Sequence, residues 1–129
     1  AAPTTAYGIW ALYYMGLARS RQGENREAAA LFRRHLEQAP DSLQGYMSLA
    51  GELEQMGQNA EAERLYISAV RKFPDNPVTY LRVIEQMRRH GKAKQALSYA
   101  EALRKVSPDY EEAEKLILDL SKEAAPKFP

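Results

Sequence analysis

The sequence predicts an all-α fold built from repeated helical hairpins, and three observations support this prediction. A short phrase recurs at a fixed step of 34 residues, as QGENREAAALF from Gln22, MGQNAEAERLY from Met56 and HGKAKQALSYA from His90. Apolar residues recur at the three- and four-residue spacing that places them on one face of a helix. The apolar stripes end at glycine or proline, the residues that most often interrupt helices.

The first helix of each repeat carries one apolar stripe that is expected to face the core. Its residues are Leu12, Met15 and Gly16, then Tyr46, Leu49, Ala50 and Leu53, then Tyr80, Val83, Ile84 and Met87. A glycine follows each stripe, at Gly23, Gly57 and Gly91. Because glycine readily adopts the left-handed conformation, these positions predict the end of each first helix.

The second helix of each repeat carries an inner stripe that is rich in small residues. Its members are Ala28, Phe32 and His35, then Ala62, Tyr66 and Ala69, then Ala96, Ala100 and Leu103. Asn25 and Asn59 are predicted to cap the second helices of the first two repeats. Asn76 followed by Pro77 predicts a cap and first helical residue for the third repeat. Small residues in this stripe would let the paired helices approach closely.

A lone hairpin cannot bury both of its stripes, so three hairpins are expected to stack under a final covering helix. Ala113, Leu116, Ile117 and Leu120 supply the apolar stripe of that helix. The predicted segments are an N-terminal arm or helix extension (1–8), three repeats (9–42, 43–76 and 77–110), a capping helix (111–123) and a flexible tail (124–129).

The second repeat resembles the tetratricopeptide repeat (TPR) family, whose signature is W-x2-L-G-x2-Y, then A-x3-F, then P, in about 34 residues. The matching residues are Tyr46, Leu49, Ala50, Leu53, Ala62, Tyr66, Ala69 and Pro74. The other repeats depart from this pattern at Arg19, His35, Ile84 and Ala100. The resemblance implies a right-handed superhelical solenoid of three TPR units. It also implies that the concave face, lined by the first helices, holds an extended or helical segment of another protein.

Mapped onto this sequence, the resemblance implies a groove that is apolar toward its N-terminal end and basic at one edge. Its candidate residues are Trp10, Tyr13, Leu17, Gln44, Met47, Gly51, Glu54, Val78, Leu81, Arg82, Glu85, Arg88 and Arg89. Trp10 and Tyr13 could instead pack against a neighbouring repeat, a second copy of the chain or a folded-over N-terminal arm. The chain would then be a structural scaffold that self-associates, or packs on a neighbouring domain, through its apolar N-terminal helix.

The basic edge consists of Arg82, Arg88, Arg89, Lys92 and Lys94, and only Glu85 is expected to oppose it. These residues could receive acidic groups that flank an apolar motif, which would favour association rate and selectivity. The simpler interpretation, and the one favoured here, is that the arginines near the helix end offset the negative end of the helix dipole.

Members of the family that bind the acidic C-terminal tails of heat-shock chaperones share a clamp of lysine, asparagine and arginine. The corresponding positions here are Tyr13, Leu17, Ser48, Val78 and Arg82. Only Arg82 provides the charged donor that a carboxylate requires. Binding of chaperone tails is therefore not expected.

Other functional classes find little support in the sequence. The net charge is +1 and the chain has no cysteine, so neither nucleic-acid binding nor a cysteine metal site or nucleophile is predicted. The uncharged run Ala6–Ala18 would extend about 20 Å as a helix, too short to insert across a bilayer core of about 30 Å. His35 is expected to be a buried hydrogen-bonded group and His90 to be solvated. No phosphate loop, nucleophile motif, enzymatic activity or cofactor is predicted, and a cytoplasmic or a periplasmic location is equally compatible.

Overall fold

The computed structural model describes residues 5–127, and these residues form seven α-helices and no strand. The helices are α1 (Ala6–Arg21), α2 (Asn25–Gln38), α3 (Leu43–Gln55), α4 (Asn59–Lys72), α5 (Pro77–Arg89), α6 (Ala93–Val106) and α7 (Glu111–Ala124). The predicted all-α helical repeat fold is confirmed. Residues 1–4 of the predicted arm and residues 128–129 of the predicted tail lie outside the described residues.

The chain divides into two compact units, Ala1–Ala69 and Val70–Pro129, with the division inside α4. In the first unit, α1 packs against α2 and α2 packs against α3. In the second unit, α5 packs against α6 and α6 packs against α7. Each contact between consecutive helices is the one expected of a helical hairpin chain.

The three turn glycines adopt the predicted left-handed conformation, with φ of 77° at Gly23, 77° at Gly57 and 74° at Gly91. The amide of each glycine donates to a carbonyl three residues earlier. The amide of the next residue donates to a carbonyl five residues earlier, with N–O distances between 2.8 and 3.0 Å. This pair of bonds is the Schellman motif, which satisfies the last carbonyls of a helix.

The prediction that Asn25 and Asn59 cap the second helices is wrong. Both are the first residues of their helices. The first helical carbonyls belong to Glu24 and Gln58, which accept from Ala28 and Ala62 at 3.0 and 3.1 Å. The residue after the turn glycine thus both completes the Schellman motif and starts the next helix, so the turn is one residue shorter than predicted. The prediction for Asn76 is confirmed, because its side chain accepts from Val78 N at 3.0 Å ahead of Pro77.

The core of the first unit depends on a close approach of α1 to α2. A Cβ added to Gly16 would lie 2.6 Å from Cε1 of Phe32, so the backbone of α1 rests directly on the phenyl ring. The buried apolar residues of this unit are Leu12, Ala28, Ala29, Phe32, Leu49, Ala50, Leu53, Ala62, Tyr66 and Ala69. Met15 was predicted to face this core but is 52% exposed, because the buried stripe of α1 is limited to Leu12 and Gly16.

His35 is fully buried in the first unit, as predicted, and both ring nitrogens are hydrogen-bonded. Nδ1 lies 2.8 Å from the carbonyl oxygen of Ile9 and Nε2 lies 2.8 Å from Oγ of Ser42. Since a carbonyl oxygen can only accept, Nδ1 carries the proton and the Ser42 hydroxyl donates to Nε2. Ser42 Oγ also accepts from Gly45 N at 3.0 Å, which caps α3. One side chain of α2 therefore holds α1 and the start of α3.

The core of the second unit is formed by the last residues of α4 together with α5, α6 and α7. Its buried apolar residues are Val70, Tyr80, Val83, Ile84, Met87, Ala96, Ala100, Leu103, Ala113 and Leu120. The Tyr80 hydroxyl donates to the carbonyl oxygen of Pro74 at 2.8 Å. Burial, with a smaller effect from Asp75, raises the pKa of Tyr80. In α7, Leu116 and Ile117 are half-buried and Leu118 is 62% exposed.

Candidate protein-interaction surfaces

Trp10, Tyr13 and Leu17 are half-buried on one side of α1. The Trp10 ring lies 4.7 Å from His35 between centroids and meets Tyr13 edge-on at 5.5 Å. The Tyr13 ring lies 5.6 Å from Phe32, and its hydroxyl accepts from Ser48 Oγ at 3.3 Å. Trp10 and Tyr13 are thus partly structural, because they pack on α2 and, for Tyr13, bridge to α3.

A second side of α1 exposes large apolar side chains. Tyr7 is 88% exposed, Tyr14 is 64% exposed and Met15 is 52% exposed. Together with Ala6, Trp10 and Ala11 they line a shallow apolar depression of about 540 Å³; these six residues are called the α1 patch below. Of these six residues, only Trp10 was predicted from the sequence to be a contact residue. The available signal was the run AYGIWALYYMGLA, which is apolar on every side of its helix.

On α3, the candidate residues differ in exposure. Gln44 is exposed, while Met47, Gly51 and Glu54 are half-buried. Glu54 accepts a hydrogen bond from the Tyr66 hydroxyl at 2.9 Å, so this carboxylate also ties α3 to α4. A Cβ added to Gly51 would meet nothing within 4 Å, which leaves open space beside α3 at this position.

The first unit also contains a polar pocket of about 520 Å³ lined by residues of α1, α2 and α3. Leu17 and Phe32 form its apolar wall, and Ser20, Asn25, Ser48 and Gln55 supply neutral polar groups. Glu52 is the one charged residue among the described residues that line it. These residues and the neighbouring Gly23 and Gly51 form the Glu52 pocket. Glu52 was not predicted from the sequence to be a binding residue, because its position on α3 falls between the predicted core and groove stripes.

In the second unit, the candidate residues all lie on α5. Val78 is 44% exposed and Leu81 is half-buried. The charged residues Arg82, Glu85, Arg88 and Arg89 are exposed. The structure therefore brings an apolar pair and four charged side chains together on one helix.

The expectation that only Glu85 opposes the basic residues of α5 is wrong. Arg82 Nη1 lies 3.7 Å from Glu85, but Nε of Arg88 donates to both carboxylate oxygens of Glu123 at 2.9 and 3.1 Å. The hydrogen bond with Glu123 raises the pKa of Arg88. Glu123 lies on α7, 35 residues away, so a reading of the local stretch could not find it. Arg88 connects two helices and its charge is largely offset.

Two classes of site can be assessed over residues 5–127. No described helix combines the length and apolar character needed to cross a bilayer. Within the same range, histidine and acidic side chains form no group of three or more that could hold a metal ion.

The tetratricopeptide repeat family profile matches residues 10–42 of the chain. No curated protein is similar enough in sequence to be matched with it. Many solved structures share its fold.

Three of these structures cover nearly the whole chain. The TPR2B domain of yeast Sti1 in its pHsp70 complex has a TM-score of 0.73 and 18% identity, over 89% of this chain and 97% of that chain. The first TPR of Spaghetti (RPAP3), bound to the HSP90 peptide SRMEEVD, has a TM-score of 0.73 and 19% identity, over 92% and 96%. The Yersinia enterocolitica type III secretion chaperone SycD, in complex with a peptide of the translocator YopD, has a TM-score of 0.71 and 16% identity, over 92% and 91%. At these identities the similarity shows the fold.

Proposed function

Because the tetratricopeptide repeat profile matches residues 10–42 and TPR structures share the fold over nearly the whole chain, we propose that this chain is a non-catalytic protein-interaction module of that family. Its partner contributes a peptide or a short helix, and the candidate contact helices are the first helices of the hairpins, α1 and α3 within the first unit and α5 within the second. The observation that carries the proposal is the incomplete burial of large side chains on these helices: Trp10, Tyr13 and Leu17 on α1, and Val78 and Leu81 on α5. Tryptophan and tyrosine are over-represented among binding hot spots.

The similar structures support this kind of function. The yeast Sti1 domain was solved in a pHsp70 complex, the RPAP3 repeat with an HSP90 peptide, and SycD with a peptide of the translocator YopD. This chain shares their helical-hairpin repeat fold. A peptide ligand is therefore the partner class that the fold favours.

The side chains of α5 suggest what the partner segment carries. Val78 and Leu81 would contact apolar residues, and Arg82 and Arg89 lie on the same exposed helix. Arg88 contributes less, because its guanidinium is already bonded to Glu123. The proposed partner segment is apolar at its centre and acidic at one end, with the acidic end contributing mainly to association rate.

Chaperone tails remain an unfavoured ligand. At two of the positions that would form the carboxylate clamp, Tyr13 and Ser48 are hydrogen-bonded to each other, and neither carries a positive charge. At a third, Arg82 has Glu85 as a neighbour at 3.7 Å. Neither the Tyr13 and Ser48 positions nor the Arg82 position supplies the several charge-assisted donors that would offset the desolvation of a carboxylate.

A peptide display library selected on the full chain would test the proposal. The selected peptide should lose most of its affinity for Val78→Asp and Leu81→Glu variants. Val78 lies in the first turn of α5, where an acidic residue is favourable to the helix dipole, so Val78→Asp is expected to remain folded. Ala30→Glu, an exposed change on α2, is the control and should bind as the parent does. Equal affinity for all four proteins would overturn the proposal.

A second candidate function is that of an assembly scaffold, and the α1 patch is the observation that favours it. Tyr7, Tyr14 and Met15 are each more than half exposed, and contiguous exposed apolar surface commonly marks a contact site. Under this hypothesis a second copy of the chain, or a neighbouring domain, covers the patch. Sedimentation of the parent and of Tyr14→Glu would test self-association, with a dimer expected for the parent alone. A parent protein that stays monomeric at high concentration would contradict self-association.

A further inference from the structure

Glu52 is an unusual residue for the interior of a helical repeat. It is 6% exposed, and within the described residues its Oε2 has no hydrogen-bond partner. Leaving a buried polar oxygen unpaired is costly, and more so when the group is charged. Nearly all buried polar groups in native proteins find a partner, so an exception calls for an explanation.

The Glu52 pocket provides that explanation, because the same side chain lines an open space with room for a side chain of another molecule. Leu17 and Phe32 offer apolar contact along one wall. The oxygens of Ser20, Asn25, Ser48 and Gln55 can each accept a hydrogen bond. The Glu52 carboxyl group is thus combined with several neutral acceptors and an apolar wall.

We propose that the Glu52 pocket binds a primary ammonium group on an aliphatic stem, as the lysine side chain of a partner provides. The stem lies against Leu17 and Phe32, and the ammonium donates to the Glu52 carboxylate and to two neutral oxygens. An ammonium has three donors, which matches this set better than the planar fork of a guanidinium does. The terminal torsion of a glutamate side chain is broad, so a rotation there can turn either oxygen to the ligand.

This site deepens the proposed function, since the lysine would belong to the partner segment. The Glu52 pocket requires a lysine in the partner segment, whereas the candidate residues of α5 require only apolar and acidic residues. Its test uses a small probe and no partner, so the pocket and the partner-binding proposal can fail independently of each other.

The experiment is a titration of the 129-residue chain with Nα-acetyl-lysine N-methylamide, in which binding is followed by amide chemical shifts. The amides of Gly23 and Gly51, which line the pocket, should shift in a saturable way. In Glu52→Gln, which keeps the volume but removes the charge, the affinity should fall about tenfold or more. Glu37→Gln removes the same charge from the exposed face of α2 and should leave the affinity unchanged.

A second variant separates binding from folding. Glu52→Met replaces the carboxyl group by an apolar side chain of similar length, so it should abolish the shifts while raising the melting temperature, because a buried oxygen without a hydrogen-bond partner is removed. The uncharged norleucine analogue of the probe should give no saturable shift in the parent.

Three results would overturn the proposal. The parent could show no saturable shift at Gly23 and Gly51, or Glu52→Gln could bind the probe as tightly as the parent does. Tighter binding of the arginine analogue than of the lysine probe would overturn the assignment of an ammonium ligand.

Discussion

At the scale of single residues, His35 shows how one departure from the repeat pattern is accommodated. A small residue is usual at this position in the family signature, and the imidazole needs both space and partners. Gly45 supplies the space, since a Cβ there would lie 3.1 Å from Cδ2 of His35. Ile9 and Ser42 supply the partners. The larger residue is therefore matched by a smaller one on the neighbouring helix.

The bond between His35 and Ser42 leads to a testable difference between two helix caps. Ser42→Ala removes the cap of α3 and leaves Nε2 of buried His35 unpaired, so we expect a loss of about 2–4 kcal/mol in the free energy of unfolding. Thr5→Ala removes the exposed cap of α1, whose Oγ1 accepts from Gly8 N at 3.1 Å, and should cost about 1 kcal/mol or less. Urea unfolding measures both. Equal losses would show that the bond to His35 contributes nothing.

Two helical glycines should respond oppositely to alanine. Gly16→Ala places a methyl group against Phe32, so we expect a loss of about 1–3 kcal/mol in the free energy of unfolding. Gly51→Ala meets no atom within 4 Å and should gain about 0.5–1 kcal/mol, because alanine is the better helix former. Thermal and urea unfolding of the two variants provide the comparison. A stable Gly16→Ala would contradict the close approach of α1 to α2.

At the scale of the elements, the C-terminal ends of the first helices were easier to predict than helix faces. The left-handed turn at Gly23, Gly57 and Gly91 follows from local chemistry, and all three positions have the expected φ. The outward side of α1 could not be predicted, because its residues are apolar all round and periodicity cannot tell a core face from a contact face. Met15 was misplaced for this reason.

The ion pair between α5 and α7 gives a prediction at the same scale. Glu123→Gln breaks the two-oxygen contact with Arg88 and should lower the free energy of unfolding by up to about 1 kcal/mol, an effect that high salt removes. Glu114→Gln breaks only the 3.4 Å contact with Arg104 and should cost a few tenths. Urea unfolding at low and high salt tests both. A larger effect for Glu114→Gln would contradict the assigned geometry.

At the scale of the whole molecule, the 34-residue period was enough to predict the helical repeat fold. The same helix and turn signals occur three times, so a signal that is ambiguous in one repeat can be identified from the other two. The candidate surfaces were only partly predictable. The contact of Arg88 with Glu123 and the unpaired oxygen of Glu52 depend on neighbours far apart in sequence or on depth of burial, which the residue pattern does not encode.

The central claim is that a partner segment contacts the first helices of the hairpins. The most direct test is to map the amide chemical-shift changes that a selected peptide causes along residues 5–127 of the full chain. We expect the changes to concentrate on α1, α3 and α5, including Leu17, Gln44 and Val78. Changes confined to α2, α4 and α6 would contradict the claim.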